Sequence, residues 1–147
     1  MKLLVLLIVA FALPAARAGV AQEKFLAATE SARQVVIRRL EPPAKNRAAL
    51  LDSTDMKAVA RVRRSMVLED PAPQFDEHGE EIWTLPSFCC AQYSVEFVSR
   101  DGARLLYLVK HEITAILPPD PHGLHDLTDI PLSKKSQHSL RVLLTGR

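Results

Sequence analysis

The chain has 147 residues, with 19 Lys or Arg against 17 Asp or Glu, and 48% of its residues are hydrophobic. That length suits one ordinary domain with one modest core. The near-balanced charge argues against a general nucleic-acid role, which needs a strong basic excess.

Residues 1–18 have the layout of a secretory signal peptide. Lys2 makes the start positive, Leu3 to Leu13 is apolar, and Ala16-Arg17-Ala18 fits the small-x-small rule for cleavage. The apolar stretch is shorter than the roughly 20 residues that span a bilayer, and nothing later approaches that length. The expected mature chain starts at Gly19, has no transmembrane segment, and is exported to the periplasm or the cell exterior. No cysteine follows the cleavage site, so a lipid anchor is not expected. Loss of Lys2 and Arg17 leaves 17 basic and 17 acidic side chains, a formal charge of zero.

Residues 19–32 read as a linker or frayed helix, with Val20, Phe25 and Leu26 as the only large apolar side chains. Residues 33–147 read as a single small α+β domain. Gln34 to Leu40 is rich in β-branched residues and stops at Pro42-Pro43. It reads as a first strand, with a helix from Ala21 to Leu40 as the rival. Asp52, Ser53 and Thr54 are N-cap candidates. Met56, Val59, Val62 or Arg63, and Met66 then recur at helical spacing, which predicts a helix over 55–68. Lys57, Arg61 and Arg64 fall on its outer face, and Arg63 is expected to lay its stem along the apolar face.

Asp70 to Glu81 is a loop by its prolines, glycine and acids, with Phe75 expected to tuck it down. Trp83, in the short apolar segment Ile82 to Leu85, is expected in the core with its indole N–H satisfied; exposed, it would mark a binding surface. Charge is uneven here: Arg33 to Arg64 holds nine bases, and Ser65 to Pro86 holds six acids and no base. Solvated faces explain this, and the sharper alternative is a patch that docks an oppositely charged partner.

Tyr93 to Leu117 is the most legible stretch. Tyr93, Val95 and Phe97 alternate with polar residues, so they share one face of a strand. Asp101-Gly102 supplies the positive φ of a tight turn. Leu105 to Val109 is apolar on both faces, the mark of a strand covered on both sides or central in its sheet. Lys110-His111-Glu112 interrupts this arm, where a bulge or bend is expected, and Pro118-Pro119 ends it. A second proline-rich loop follows. Ser133 is a candidate N-cap for a last helix over 134–144, with Leu140, Leu143 and Leu144 on its apolar face and Gly146 as its stop. The fold expected is α+β: a small antiparallel sheet, made of hairpin 93–117 plus one or two further strands, packed by two helices.

The chemistry-bearing residues are few. Cys89 and Cys90 are adjacent, and neighbouring strand residues point to opposite faces. Two free thiols, a strained vicinal disulfide and an intermolecular bridge all remain open. His122-x-x-His125, flanked by Asp120 and Asp126, has the residue types of a zinc or copper site, with Cys89, Cys90 or His111 as further ligands. A solvated loop is the plain alternative. A Cys-His pair is a second route: Cys90 facing His111 across the hairpin, with Glu112 or Glu96 orienting the ring. The chain lacks the His-Glu-x-x-His motif, a phosphate-binding glycine loop and a nucleophile elbow.

Phe88-Cys89-Cys90, Gly102, the apolar run Leu105 to Val109, and Leu132-Ser133 with Gln137 and Leu140 together resemble a group of small exported bacterial proteins of unknown function. That group has a Cys-Phe stretch opening a hairpin and a Ser-led C-terminal helix. Its Pro-x-His is replaced here by Ala91-Gln92-Tyr93, and its second cysteine by Lys110-His111-Glu112. The resemblance implies a hairpin-and-helix domain and no particular activity. The expectation is a small exported binding or cell-envelope-associated domain that is not an enzyme, has no cofactor, and has a protein of the cell envelope as its conceivable partner. The alternative is a metal- or thiol-dependent site.

Overall fold

The structure, a computed structural model, describes residues 19–40, 49–82, 91–110, 113–119 and 129–145. Those residues form an α+β fold. Its helices are α1 (Val20–Ala28), α2 (Met56–Ser65) and α3 (Lys134–Thr145). Its strands are β1 (Ala32–Arg39), β2 (Ala49–Ser53), β3 (Gln74–Phe75), β4 (Glu81–Ile82), β5 (Tyr93–Ser99), β6 (Arg104–Val109), β7 (Ala115–Leu117) and β8 (Ile130–Pro131). Six strands make one sheet in the order β2-β1-β5-β6-β7-β8, and β3-β4 form a separate ribbon. Every pairing is antiparallel.

The period-two pattern of the hairpin sets the core. Tyr93, Val95 and Phe97 join Val35, Ile37, Tyr107, Val109 and Ile116 in one buried cluster, which Phe25 of α1, Val59 and Val62 of α2, and Leu140 of α3 complete. Each such side chain contributes roughly 1.5–3 kcal/mol of apolar burial. β6 is interior to the sheet, as its two-sided apolar run predicts. Its opposite face is only partly covered, since Leu106 is 43% exposed.

The turn also follows the sequence, with a difference. Residues 100–103 connect β5 to β6, and only Gly102 takes a positive φ, of 85°. The Ser99 N–H donates to the Ala103 carbonyl (2.8 Å), and the Ala103 N–H donates to Asp101 Oδ1 (3.1 Å). The connection is therefore a four-residue loop in which Asp101 acts through its side chain.

Four expectations are corrected. The second arm of the hairpin is not one bulged strand. It reverses after Val109, and β7 returns antiparallel to β6, pairing Val109 with Ile116. The reversal closes with the Ile113 N–H donating to the Lys110 carbonyl and the Lys110 N–H to the Ala115 carbonyl, both at 2.9 Å. Ile113 holds a φ of 64°, which β-branched residues rarely adopt. Its burial in the core holds it there. The sheet also has more strands than the one or two foreseen beside the hairpin. Phe75 is 60% exposed in β3 rather than tucked down, and Met56 is exposed at the start of α2.

The third helix resolves the ambiguity at the N-terminal end. α1 is weakly amphipathic, burying only Ala21 and Phe25, yet it is held at both ends. Asp70 accepts from the Val20 and Ala21 amides at 3.2 and 2.8 Å, which satisfies N–H groups the first turn leaves open. The Leu68 N–H donates to Gln22 Oε1 at 2.6 Å. At the other end, Arg63 Nη2 donates to the Leu26 carbonyl and Nε to Thr29 Oγ1, each at 3.0 Å. A cation there suits the negative end of the helix dipole. β1 then begins at Ala32, so the segment is a helix followed by a strand. Ser133 caps α3 through the Ser136 N–H, as expected, whereas α2 is capped through the Lys57 N–H by Asp55 and not by the candidates Asp52, Ser53 or Thr54. The Ser136 hydroxyl donates to the Ser65 carbonyl and ties α3 to the end of α2. Trp83 lies outside the described residues.

Candidate functional site

A mostly apolar groove lies between α1 and the β6 side of the sheet. It encloses about 760 Å³, within the range of small-molecule sites. Phe25, Leu105, Tyr107, Pro118, Pro119 and Ile130 supply apolar lining, and Lys24, Asp70 and Arg104 add charge. The groove exists because α1 packs by one aromatic. Phe25 meets Tyr107 edge-on at 5.4 Å and Phe97 at 5.9 Å, and Phe97 meets Tyr107 at 6.1 Å. That three-ring cluster wedges a nine-residue helix against the sheet and leaves a channel along its flank.

The polar groups of the groove divide by whether they are already used. Asp70 is spent on the α1 amides. Arg104 forms a two-point contact with Glu96, Nε to Oε1 at 2.7 Å and Nη2 to Oε2 at 2.9 Å. Lys24 is exposed and has no ion pair among the described residues. Tyr107 is only 3% exposed, and burial pushes its phenol up to about 12, so it stays a neutral donor across physiological pH. Its hydroxyl makes no hydrogen bond to described residues. Among those residues no fully enclosed side-chain polar atom lacks a partner, so this hydroxyl is not fully enclosed. The groove thus offers an apolar bed with Tyr107 in its lining and, among the described residues, one cation without an ion pair.

A second feature lies on the face away from the helices. Glu96, at the centre of β5, accepts from Arg38 of β1 (3.1 Å) and from Arg104 of β6. In register Arg38 pairs with Ser94 and Arg104 with Val98, so both reach Glu96 diagonally across the strands. Burial alone would raise the Glu96 carboxyl. The Arg104 and Arg38 hydrogen bonds outweigh it and hold the carboxyl below its ordinary value. This triad is a clamp across three strands, and every carboxylate contact in it is internal.

The residues singled out from sequence fare differently. Cys89, Cys90, His111, His122 and His125 lie outside the described residues, as do Glu112, Asp120 and Asp126. Their flanking residues do approach one another. The Gln92 N–H donates to the Val109 carbonyl at 2.9 Å, beside the root of His111. Lys110 Nζ contacts both oxygens of Asp129, at 2.9 and 2.8 Å, at one root of the 120–128 segment. Among the described residues, no three His, Cys, Asp or Glu side chains are grouped to hold a metal ion. Glu96 is not free to orient an imidazole. Two arginines hold it, and it pairs with Leu106, three residues and roughly 10 Å along the strand from Val109.

Sequence reasoning missed the groove because its lining comes from separated segments: α1, the 68–71 stretch, β6, the 118–119 prolines and β8. One signal was present. Phe25 is the lone aromatic of a short segment without a continuous apolar stripe, which marks an anchor rather than a core helix. No described helix is long and apolar enough to cross a membrane. The chain matches no family model, no curated protein and no solved structure.

Proposed function

We propose that this chain is a small exported binding protein, not an enzyme, that holds a single-chain anionic amphiphile in the groove beneath α1. The observation that carries the reading is the groove's combination of an apolar bed with Lys24, a cation that has no ion pair among the described residues. Of the three charged residues that line it, Arg104 is paired with Glu96, and Asp70 has both carboxylate oxygens on the Val20 and Ala21 amides. Lys24 is the lining cation without an ion pair among the described residues, which favours an anionic headgroup beside it. The Tyr107 hydroxyl gives the ligand a hydrogen-bonding point along the bed, and its neutrality avoids repelling an anion. Export, supported by the layout of residues 1–18, would place such a domain where envelope lipids and their single-chain products are found.

The magnitudes make the reading testable. Each buried methylene is worth about 0.8 kcal/mol, so affinity should rise roughly tenfold per two carbons until the groove is full. Titration of the exported protein with saturated carboxylates of increasing chain length, read by displacement of a fluorescent amphiphile, measures this slope. Lys24→Glu should weaken carboxylate binding about tenfold and spare an alkylammonium of equal length. A flat chain-length series, or equal affinity for both headgroups, would sink the proposal. Robust catalytic turnover lost on mutating Cys90 or His111 would sink the non-enzymatic part of it.

A further inference from the structure

The residue expected to begin the mature chain, Gly19, occupies a site shaped around it. It is the N-cap of α1, at a φ of −64°, and it supplies no side-chain cap of its own. A Cβ placed on it would lie 2.7 Å from Asp70 Oδ2, closer than real Cβ atoms approach, and a tight 3.1 Å from Asp70 Oδ1. The Asp70 carboxylate cannot simply swing aside, because the Val20 and Ala21 amides hold its two oxygens. The neighbouring Leu68 amide is tied back to Gln22. Standard backbone dimensions then put the Gly19 nitrogen within about 5 Å of Asp70 Oδ2. The sequence immediately before it is Ala16-Arg17-Ala18.

We propose that the Ala18–Gly19 bond is a processing site and that Asp70 is the built-in acceptor for the α-ammonium the cut creates. The step is a hydrolysis by a signal peptidase. Water adds to the Ala18 carbonyl carbon and the C–N bond breaks. Ala18 leaves as the carboxylate end of the leader, and the Gly19 nitrogen takes up a proton. A free α-amine titrates near 7.7–8.0, so below that range it carries a full positive charge. Placed at the start of a helix, a cation opposes the helix dipole and would loosen α1. A carboxylate within reach reverses that sign, and Asp70, fifty residues away in sequence, is held where it does so. Cleavage thus converts one neutral amide beside Asp70 into an ion pair that fastens the helix walling the groove. The proposal does not depend on what the groove binds.

The test expresses the full chain in a secreting host and measures the mass and N-terminal residue of the exported product. The expected product begins at Gly19; a product beginning elsewhere, or an uncut chain, overturns the proposal. The amine of that product is then titrated by NMR after ¹³C reductive methylation, against the methylated tripeptide Gly-Val-Ala. The pair should hold the proton about tenfold more tightly in the folded protein than in the tripeptide, and Asp70→Asn should remove the difference. Should Asp70→Asn fail to fold, the wild-type comparison still decides, because an amine that titrates as in the tripeptide refutes the ion pair.

Discussion

Phe25→Ala is the sharpest perturbation of the fold. Phe25 is 2% exposed and is the one large side chain α1 buries. Removing a buried phenyl ring typically costs about 3–5 kcal/mol. Two edge-on contacts, to Tyr107 and Phe97, put this site toward the upper part of that range. The adjoining groove lets water or neighbouring side chains relax into the space, which pulls the value back. The expected loss is about 4 kcal/mol, a large share of the roughly 5–15 kcal/mol that holds a domain together. With an unfolding entropy of about 2 cal/mol/K per residue, the melting temperature should fall by roughly 15 °C. Urea unfolding followed by circular dichroism gives the free energy directly, and Phe25→Leu, which keeps most of the volume, should lose only about 1 kcal/mol. A loss below about 1 kcal/mol for Phe25→Ala would mean that α1 is not docked and that residues 19–32 are the linker the sequence also allowed.

Other outcomes follow from single groups. Glu96→Gln should cost about 1–2 kcal/mol at neutral pH, a discounted figure because Arg104 is well exposed. The folded carboxyl is held below its ordinary value of 4.5, so its contribution is present above that pH and lost as pH falls through the lower folded value. The gap between wild type and variant should close on that acid side; a gap constant from neutral pH to pH 3 would contradict the clamp. Tyr107 titrates in the opposite sense. Its phenol is raised from 10.0 to about 12, so stability is full below pH 10 and is lost as pH rises toward 12. In a Tyr93→Phe background, phenolate absorbance should stay silent until near pH 12, and an intact fold titrating near pH 10 would refute the burial. Gly102→Ala meets no atom within 4 Å, so its cost is the backbone alone, about 1–2 kcal/mol at a φ of 85° by thermal unfolding.

The legible parts of the fold are those set by local rules. The alternation of Tyr93, Val95 and Phe97 places a buried face, and Ser133 announces a helix start by the cap chemistry it later shows. The first strand was also readable, because the β-branched run ends at prolines. What was not legible is set by distant contacts. α1 is short and buries two side chains, and it holds through Asp70, Gln22 and Arg63, none of which its own pattern reveals. The reversal after Val109 hides in a stretch whose Ile113 adopts a conformation that propensity argues against. Arg63, expected only to lay its stem along the apolar face, closes α1 with its guanidinium. For function the sequence drew attention to Cys89, Cys90 and the histidines, the conspicuous chemical residues. The groove is made of ordinary ones, Phe25, Leu105, Tyr107 and Lys24, which mean something only once folded together.

The central claim is that the flank of α1 is the binding face. It is tested most directly by adding a twelve-carbon carboxylate to the ¹⁵N-labelled exported protein and following amide chemical shifts. The account predicts saturable shifts concentrated at Ala21 to Ala28, Arg104 to Tyr107 and Ile130, with Arg38 and Glu96 on the opposite face little changed. Shifts centred on that opposite face, or none at millimolar ligand, would contradict it.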